Sequence, residues 1–248
     1  LAESSVKPLS GITVTVPFGI EPDWRFGTQP LPYTPEDAER FVSTVVHEIR
    51  SRSKTYRKLT FTTIYFGGCG PSCLTLDQLY RILQALYDHL VIQPEEQTLI
   101  VLPNTVDLAR AKVLRESGFD QVTLRVNTDA QNCAENDFLI LRGSDFFSVG
   151  FELPASIPKE TLTRILALKP DHIIFYPAPV SPELAEKLNG EYNQFLPGHF
   201  ALPEKENKHL LTLAGAKPVI GFGPGAITCT GKTRKQNPLN FSKYCKEV

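Results

Sequence analysis

The chain has almost no net charge: 26 Lys and Arg stand against 27 Asp and Glu, for a balance of −1. That balance excludes the broad basic surface with which proteins hold nucleic acid or an acidic membrane. No apolar run reaches the length of a bilayer span, and the opening LAESSVKPLS has no apolar signal core, so neither membrane insertion nor secretion is expected. Cysteine is sparse. The five residues Cys69, Cys73, Cys133, Cys229 and Cys245 are odd in number and irregularly spaced, which excludes a disulfide framework and favours a reducing, cytoplasm-like compartment. Methionine is missing altogether, where ordinary usage would give several. What is present is 42% hydrophobic and 21% charged over 248 residues. That is the make-up of a globular chain able to bury one large core, as α/β barrels of this length do.

Strand and helix patterns alternate along it. ITVTVPF (residues 12–18), LTFTTIYF (59–66), TLIVL (98–102), QVTLRV (121–126), FFSVGFEL (146–153) and HIIFY (172–176) read as strands. Helical patterns lie between them. Thr34 offers an N-cap with Pro35 at the first helical position, and Ala38, Phe41, Val42, Val45 and Ile49 share one face. Thr75 and Gln78 form a capping-box pattern ahead of a stripe of Leu79, Ile82, Leu83 and Leu86. A third helix runs from Val106 to a left-handed cap at Gly118, another spans 159–168, and only a short one fits between the fourth and fifth strands. The alternation predicts right-handed βαβ units and a parallel α/β barrel of six units, partial or complete, over residues 1–180, with ligands at the C-terminal strand ends. Residues 181–248 read as a degenerate C-terminal extension packed on the barrel, with a strand-like KPVIGFG and a closing helix near 240–247.

The stretch TIYFGGCGPS (63–72) runs from β-favouring residues into glycines just ahead of a helix, an arrangement that lets a ligand approach the backbone closely. If the glycines serve the backbone, Gly67 or Gly68 must take a positive φ or sit where no Cβ fits. The turn through Gly67, Gly68, Gly70 and Pro71 is a candidate site for an anion or an amino-acid moiety, held by backbone NH groups at a helix N-terminus. Cys69 and Cys73 read as apolar thiols, since no third ligand stands at metal-site spacing. GFGPGA (221–226) lacks the spacing of a dinucleotide fingerprint and reads as close packing, and GKTRKQ (231–236) as a solvated basic loop.

Strand, Gly67-Gly68-x-x-Pro71-Ser72 and capped helix together resemble the second βα turn of radical S-adenosylmethionine (SAM) enzymes. Neighbouring segments narrow the resemblance to the oxygen-independent coproporphyrinogen oxidase and haem chaperone branch (HemN/HemW-like). VTVPF is similar to the strand that leads into the branch's cluster loop, PNTVDLARAKVLRESGFDQVTLRV (103–126) to its third crossover helix and fourth strand, and FALPEKENKHLLTLAGAKPVIGFGPGA (200–226) to the stretch ending in Gly-x-Gly-x-Gly-Ala. The resemblance implies a TIM-like radical SAM partial barrel, a 4Fe–4S cluster, SAM and a place in haem metabolism. It also implies that the glycine turn meets the amino group of SAM, and that Asn127 stands where the branch has a SAM-contacting Gln.

The departures decide the expectation. Where the branch has Cys-x3-Cys-x2-Cys, this chain has GIEPDWRFGTQP, with Gly19, Asp23 and Phe26 at the ligand positions. Glycine and phenylalanine offer no ligand atom, and one aspartate cannot hold a cluster that thiolates normally bind. Acidic residues that the branch carries on strands three and five fall at Ile100 and Ser148. Of a His-Asn-x-x-Tyr-Trp motif linked to haem only His209 is left, and His209 and His199 are each readable as a residual axial ligand or as a packed side chain. Asp23, Trp24 and Arg25 are placed to fill or cap the vacated pocket. The expectation is a pseudoenzyme with neither cluster nor SAM, acting through an unidentified small molecule at the strand ends or a protein partner. Two alternatives stand beside it: an active radical SAM or haem-handling protein, and an assembly subunit using the barrel exterior.

Overall fold

The structure, a computed structural model, describes residues 10–19, 21–126, 131–231 and 233–248, and of 131–133 the backbone alone. Six strands lie side by side in chain order and all parallel: β1 (Gly11–Val16), β2 (Thr60–Gly68), β3 (Val91–Val101), β4 (Gln121–Arg125), β5 (Ser148–Pro154) and β6 (His172–Tyr176). The crossovers are α1 (Pro35–Tyr56), α2 (Leu76–His89), α3 (Leu108–Glu116), α4 (Gln131–Arg142) and α5 (Lys159–Ala167). This is the parallel (β/α)6 partial barrel that the resemblance implies, built from the six units that the alternation predicts.

The two faces of the strands differ in chemistry. Ile12, Val14, Val16, Ile64 and Phe66 share the main apolar core with Phe41, Val42 and Val45 of α1. Each such side chain contributes roughly 1.5–3 kcal/mol on full burial. The alternate positions, Thr13, Thr63, Thr98, Thr123, Ser148 and His172, are polar, buried and hydrogen-bonded to one another's neighbours across the barrel interior. The helix starts form as their sequences dictate. Thr34 accepts from the Asp37 amide at 3.1 Å, and Thr75 and Gln78 exchange both capping-box bonds at 3.2 and 3.0 Å.

The later residues form α6 (Pro182–Leu188), β7 (Asn193–Leu196), β8 (His199–Ala201), α7 (Lys208–Ala214), β9 (Val219–Phe222), β10 (Ile227–Thr230), β11 (Thr233–Gln236) and α8 (Phe241–Glu247). They extend the sheet at both edges. The β7–β8 hairpin pairs antiparallel with β6, while β9 pairs parallel with β1 and carries β10 and β11. The order is β11-β10-β9-β1-β2-β3-β4-β5-β6-β8-β7, so β11 and β7 end the sheet without pairing to each other.

Three elements differ from the sequence reading. β3 starts at Val91 rather than 98: the polar side chains before Glu96 are largely exposed, but the backbone already pairs Val91 and Ile92 with Thr60 and Phe61. α4 is 12 residues long, not a short helix, because only residues 143–147 are used to reach β5. Residues 233–236, read as loop, form the edge strand β11.

Candidate functional site

The glycine turn ends β2 at the mouth of the barrel. Gly68 has φ +94°, and a Cβ there would stand 2.4 Å from the Val16 carbonyl oxygen. The Cys69 amide donates to that same oxygen at 2.7 Å. β2 therefore finishes flush against β1, a fit that only glycine permits. Gly70 leads into a short 3-10 turn, Pro71–Cys73, ahead of α2. The carbonyls of Gly68 and Cys69 do not face open space: Arg125 Nη1 donates to them at 2.6 and 3.3 Å. A guanidinium of the chain itself takes the backbone acceptors of the turn. Asn127 lies outside the described residues.

The loop after β1 folds across this mouth. Its neck is tied by Gly19 N to Leu31 O (3.0 Å) and Leu31 N to Pro17 O (2.8 Å). Within it, fully buried Asp23 accepts the amides of Arg25 and Phe26 on Oδ1 at 2.9 and 2.7 Å, the local turn that aspartate favours. Asp23 Oδ2 pairs with Arg125 Nη2 at 3.0 Å. Arg125 Nε reaches Glu152 Oε1 at 2.6 Å, and Arg25 reaches Glu152 Oε2 at 3.2 Å and the Tyr65 hydroxyl at 2.6 Å. Trp24 donates its indole N–H to Glu152 at 3.2 Å, stacks on Tyr176, and lies under the Arg25 guanidinium at 4.5 Å. Phe26 turns inward to an apolar cluster with Tyr65, Ile100, Ile174 and Leu210. Two cations and two anions thus close a balanced network over the ends of β2, β4 and β5.

The electrostatics leave no poised proton donor or acceptor in it. Burial alone would raise the Glu152 carboxyl, but Arg125 and Arg25 beside it hold it down at about 2. Burial opposes the charge on Arg125, and the two carboxylates outweigh it, so that guanidinium is held above its ordinary value. Burial pushes the Tyr65 phenol well above its ordinary range and Tyr176 up to about 12. None of these groups titrates near neutrality, as general acid–base catalysis would need.

These residues do not fit an iron–sulfur cluster. Gly19 and Phe26 have no donor atom, and both Asp23 oxygens are engaged by Arg125 and by the loop's amides. Among the described residues, no group of three or more His, Cys, Asp or Glu is arranged to hold a metal ion. Beside the turn, a cavity of about 500 Å3 is lined by Gly19, Cys69, Cys73, Leu102, Asn104 and Arg125. Cys69 is buried, donates to Thr28 O at 3.3 Å, and is pushed up to about 11 by burial; burial also raises half-buried Cys73.

The two histidines separate clearly. His209 is fully buried, stacks on Tyr65, and bonds Thr13 through Nε2 and Thr63 through Nδ1, both at 2.9 Å. In this arrangement both ring nitrogens are engaged by threonine hydroxyls. His199 binds Pro197 O through Nδ1 at 2.7 Å and has no protein partner for Nε2 among the described residues.

The structure brings Asp23, Trp24, Arg25 and Phe26 of the loop together with Arg125, Glu152 and Tyr65, three residues that reading the sequence missed. The signal was available for the charges: QVTLRV and SVGFELP each carry one ionisable residue in a strand of a parallel sheet, where both faces are covered. A charge buried there requires a partner.

No established protein-family profile matches the chain. It is 22% identical over 262 residues to the haem chaperone HemW of Lactococcus lactis subsp. lactis, covering 86% of this chain and 68% of that protein. To HemW of Bacillus subtilis it is 24% identical over 223 residues, 71% of this chain and 59% of that one. To the oxygen-independent coproporphyrinogen III oxidase of Pseudomonas aeruginosa it is 22% identical over 265 residues, 82% and 58%. Among solved structures, coproporphyrinogen III oxidase (HemN) from Escherichia coli, described as a radical SAM enzyme, superposes with a TM-score of 0.79 at 18% identity, over 98% of this chain and 69% of that one. The chain thus spans 58 to 69% of the length of these proteins.

Proposed function

We propose that this chain, a relative of the oxygen-independent coproporphyrinogen III oxidase and haem chaperone branch of radical SAM proteins, is a non-catalytic member that acts by binding. The observation that carries this reading is the network of Asp23, Arg25, Arg125 and Glu152, which puts the chain's own side chains where a reaction centre at the strand ends would need open space. Removing one member of such a buried pair costs roughly 3–5 kcal/mol, because the charge left behind has no partner. A SAM molecule entering here would find the Gly68 and Cys69 carbonyls already bonded to Arg125. The backbone hydrogen bonds left to it are worth only about 0.5–1.5 kcal/mol each. The cavity of about 500 Å3 beside the turn is where a small molecule would still meet the strand ends.

Calorimetric titration with SAM tests this reading. No saturable heat is expected at micromolar concentrations. A dissociation constant in that range would overturn it.

A further inference from the structure

The barrel is open on one side, between the unpaired edge strands β7 and β11. A groove of about 410 Å3 follows this seam. Its apolar wall comes from Leu196 at the end of β7, Leu210 and Leu213 on α7, and Ile227 on β10. Trp24 and Arg25 reach it from the loop that closes the barrel mouth, and Arg234 reaches it from β11. No carboxylate lines the groove among the described residues, and Arg234 makes no ion pair there. A ligand entering it meets apolar side chains and the exposed guanidinium of Arg234, while Arg25 is already paired with Glu152.

His199, on β8, supplies the directional group. It is 8% exposed, so its ring is built into the wall rather than waving in solvent. Its Nδ1 lies 2.7 Å from the Pro197 carbonyl, which can only accept, so Nδ1 carries the proton. Nε2 of the neutral ring is then a lone pair with no protein partner among the described residues. Burial lowers the basicity of this imidazole and the nearby Arg25 charge lowers it further, which keeps the lone pair free. The buried side-chain atoms left without a partner among the described residues are Gln97 Oε1 and Arg110 Nε, so Nε2 is not sealed in the wall but opens to the groove.

We infer that this seam is a binding site for a flat, apolar anion, such as an aromatic acid, that donates an N–H or O–H hydrogen bond to His199 Nε2 and sets its acid group beside Arg234. Apolar walls with a few convergent polar groups are the usual make-up of small-ligand sites. The site lies outside the cavity by the glycine turn, and it stands or falls independently of whether SAM binds there.

The test uses the full chain and 1-anilinonaphthalene-8-sulfonate, which has fused rings, one sulfonate and one N–H. Trp24 is the only tryptophan and sits in the groove wall, so loss of its emission reports occupancy. Saturable quenching is expected, weakening as salt rises, because the exposed Arg234 is screened. Arg234→Gln and His199→Phe should each bind about tenfold more weakly, the scale of one charge-assisted or buried hydrogen bond. The exposed Lys112→Gln on α3 should bind as the parent does. Arg234→Gln removes only an exposed side chain, so it keeps the test valid if His199→Phe fails to fold by circular dichroism. Absence of saturable quenching, or equal affinity in Arg234→Gln and the parent, would overturn the proposal. Haemin added in the same way gives a further arm: an absorption band that shifts with the parent and not with His199→Phe would overturn the hydrogen-bond role by giving Nε2 to a metal.

Discussion

At Gly68 the chain has no room for a side chain, because the Val16 backbone lies where a Cβ would go and the residue sits at φ +94°. Gly68→Ala should therefore cost more than the ~1 kcal/mol of an ordinary glycine replacement, read as a shift in urea midpoint. Gly190→Ala, where nothing lies within 4 Å of the added carbon, should leave the midpoint almost unchanged. Equal effects would show that the turn is not needed by the backbone. The same scale explains why His209 and His199 part company. Both stand in the segment that resembles the haem-linked stretch or just before it, and nothing in the letters distinguishes them. The difference lies in where their nitrogens go: Thr13 and Thr63 take both of His209's, while Pro197 takes one of His199's.

Among the elements, the loop between β1 and α1 differs most from the cluster loop that its position resembles. It is anchored by charge, through Asp23 to β4 and Arg25 to β5, and by apolar burial of Phe18 and Phe26. Glu152→Gln keeps the shape and removes the anion, leaving Arg25 and Arg125 to share Asp23. Unfolding free energy should fall by roughly 3–5 kcal/mol, and a loss under about 1 kcal/mol would show the network to be solvated. The elements that were legible in the sequence are those with local chemistry. α1 and α2 start at Thr34 and Thr75 because their caps satisfy amides nearby in the chain. β6 matched its expected ends, with apolar residues unbroken from Ile173 to Phe175. The first half of β3 and the strand β11 were not legible, since their side chains are exposed and only their pairing makes them strands. The candidate site was half legible: Asp23 and Arg25 could be placed by the vacated ligand positions, but their partners on β4 and β5 depend on which strands the barrel brings together.

For the whole molecule, the partial barrel is retained with the polar interior that a strand-end site would line, and its mouth is closed by the chain's own residues. Residues after 180 build both edges of one sheet and leave a seam, and a ligand could enter at the cavity by the glycine turn or at the groove along the edges. The central claim is that the loop at the mouth holds ion pairs in place of an iron–sulfur cluster. Anaerobic reconstitution with iron and sulfide, followed by metal and sulfide analysis and an absorption spectrum, tests it most directly. The account predicts only loosely held iron that is removed by gel filtration, with the same result in a variant lacking Cys69 and Cys73. About four irons and four sulfides retained per chain, with the visible absorption of a thiolate-bound cluster, would contradict it.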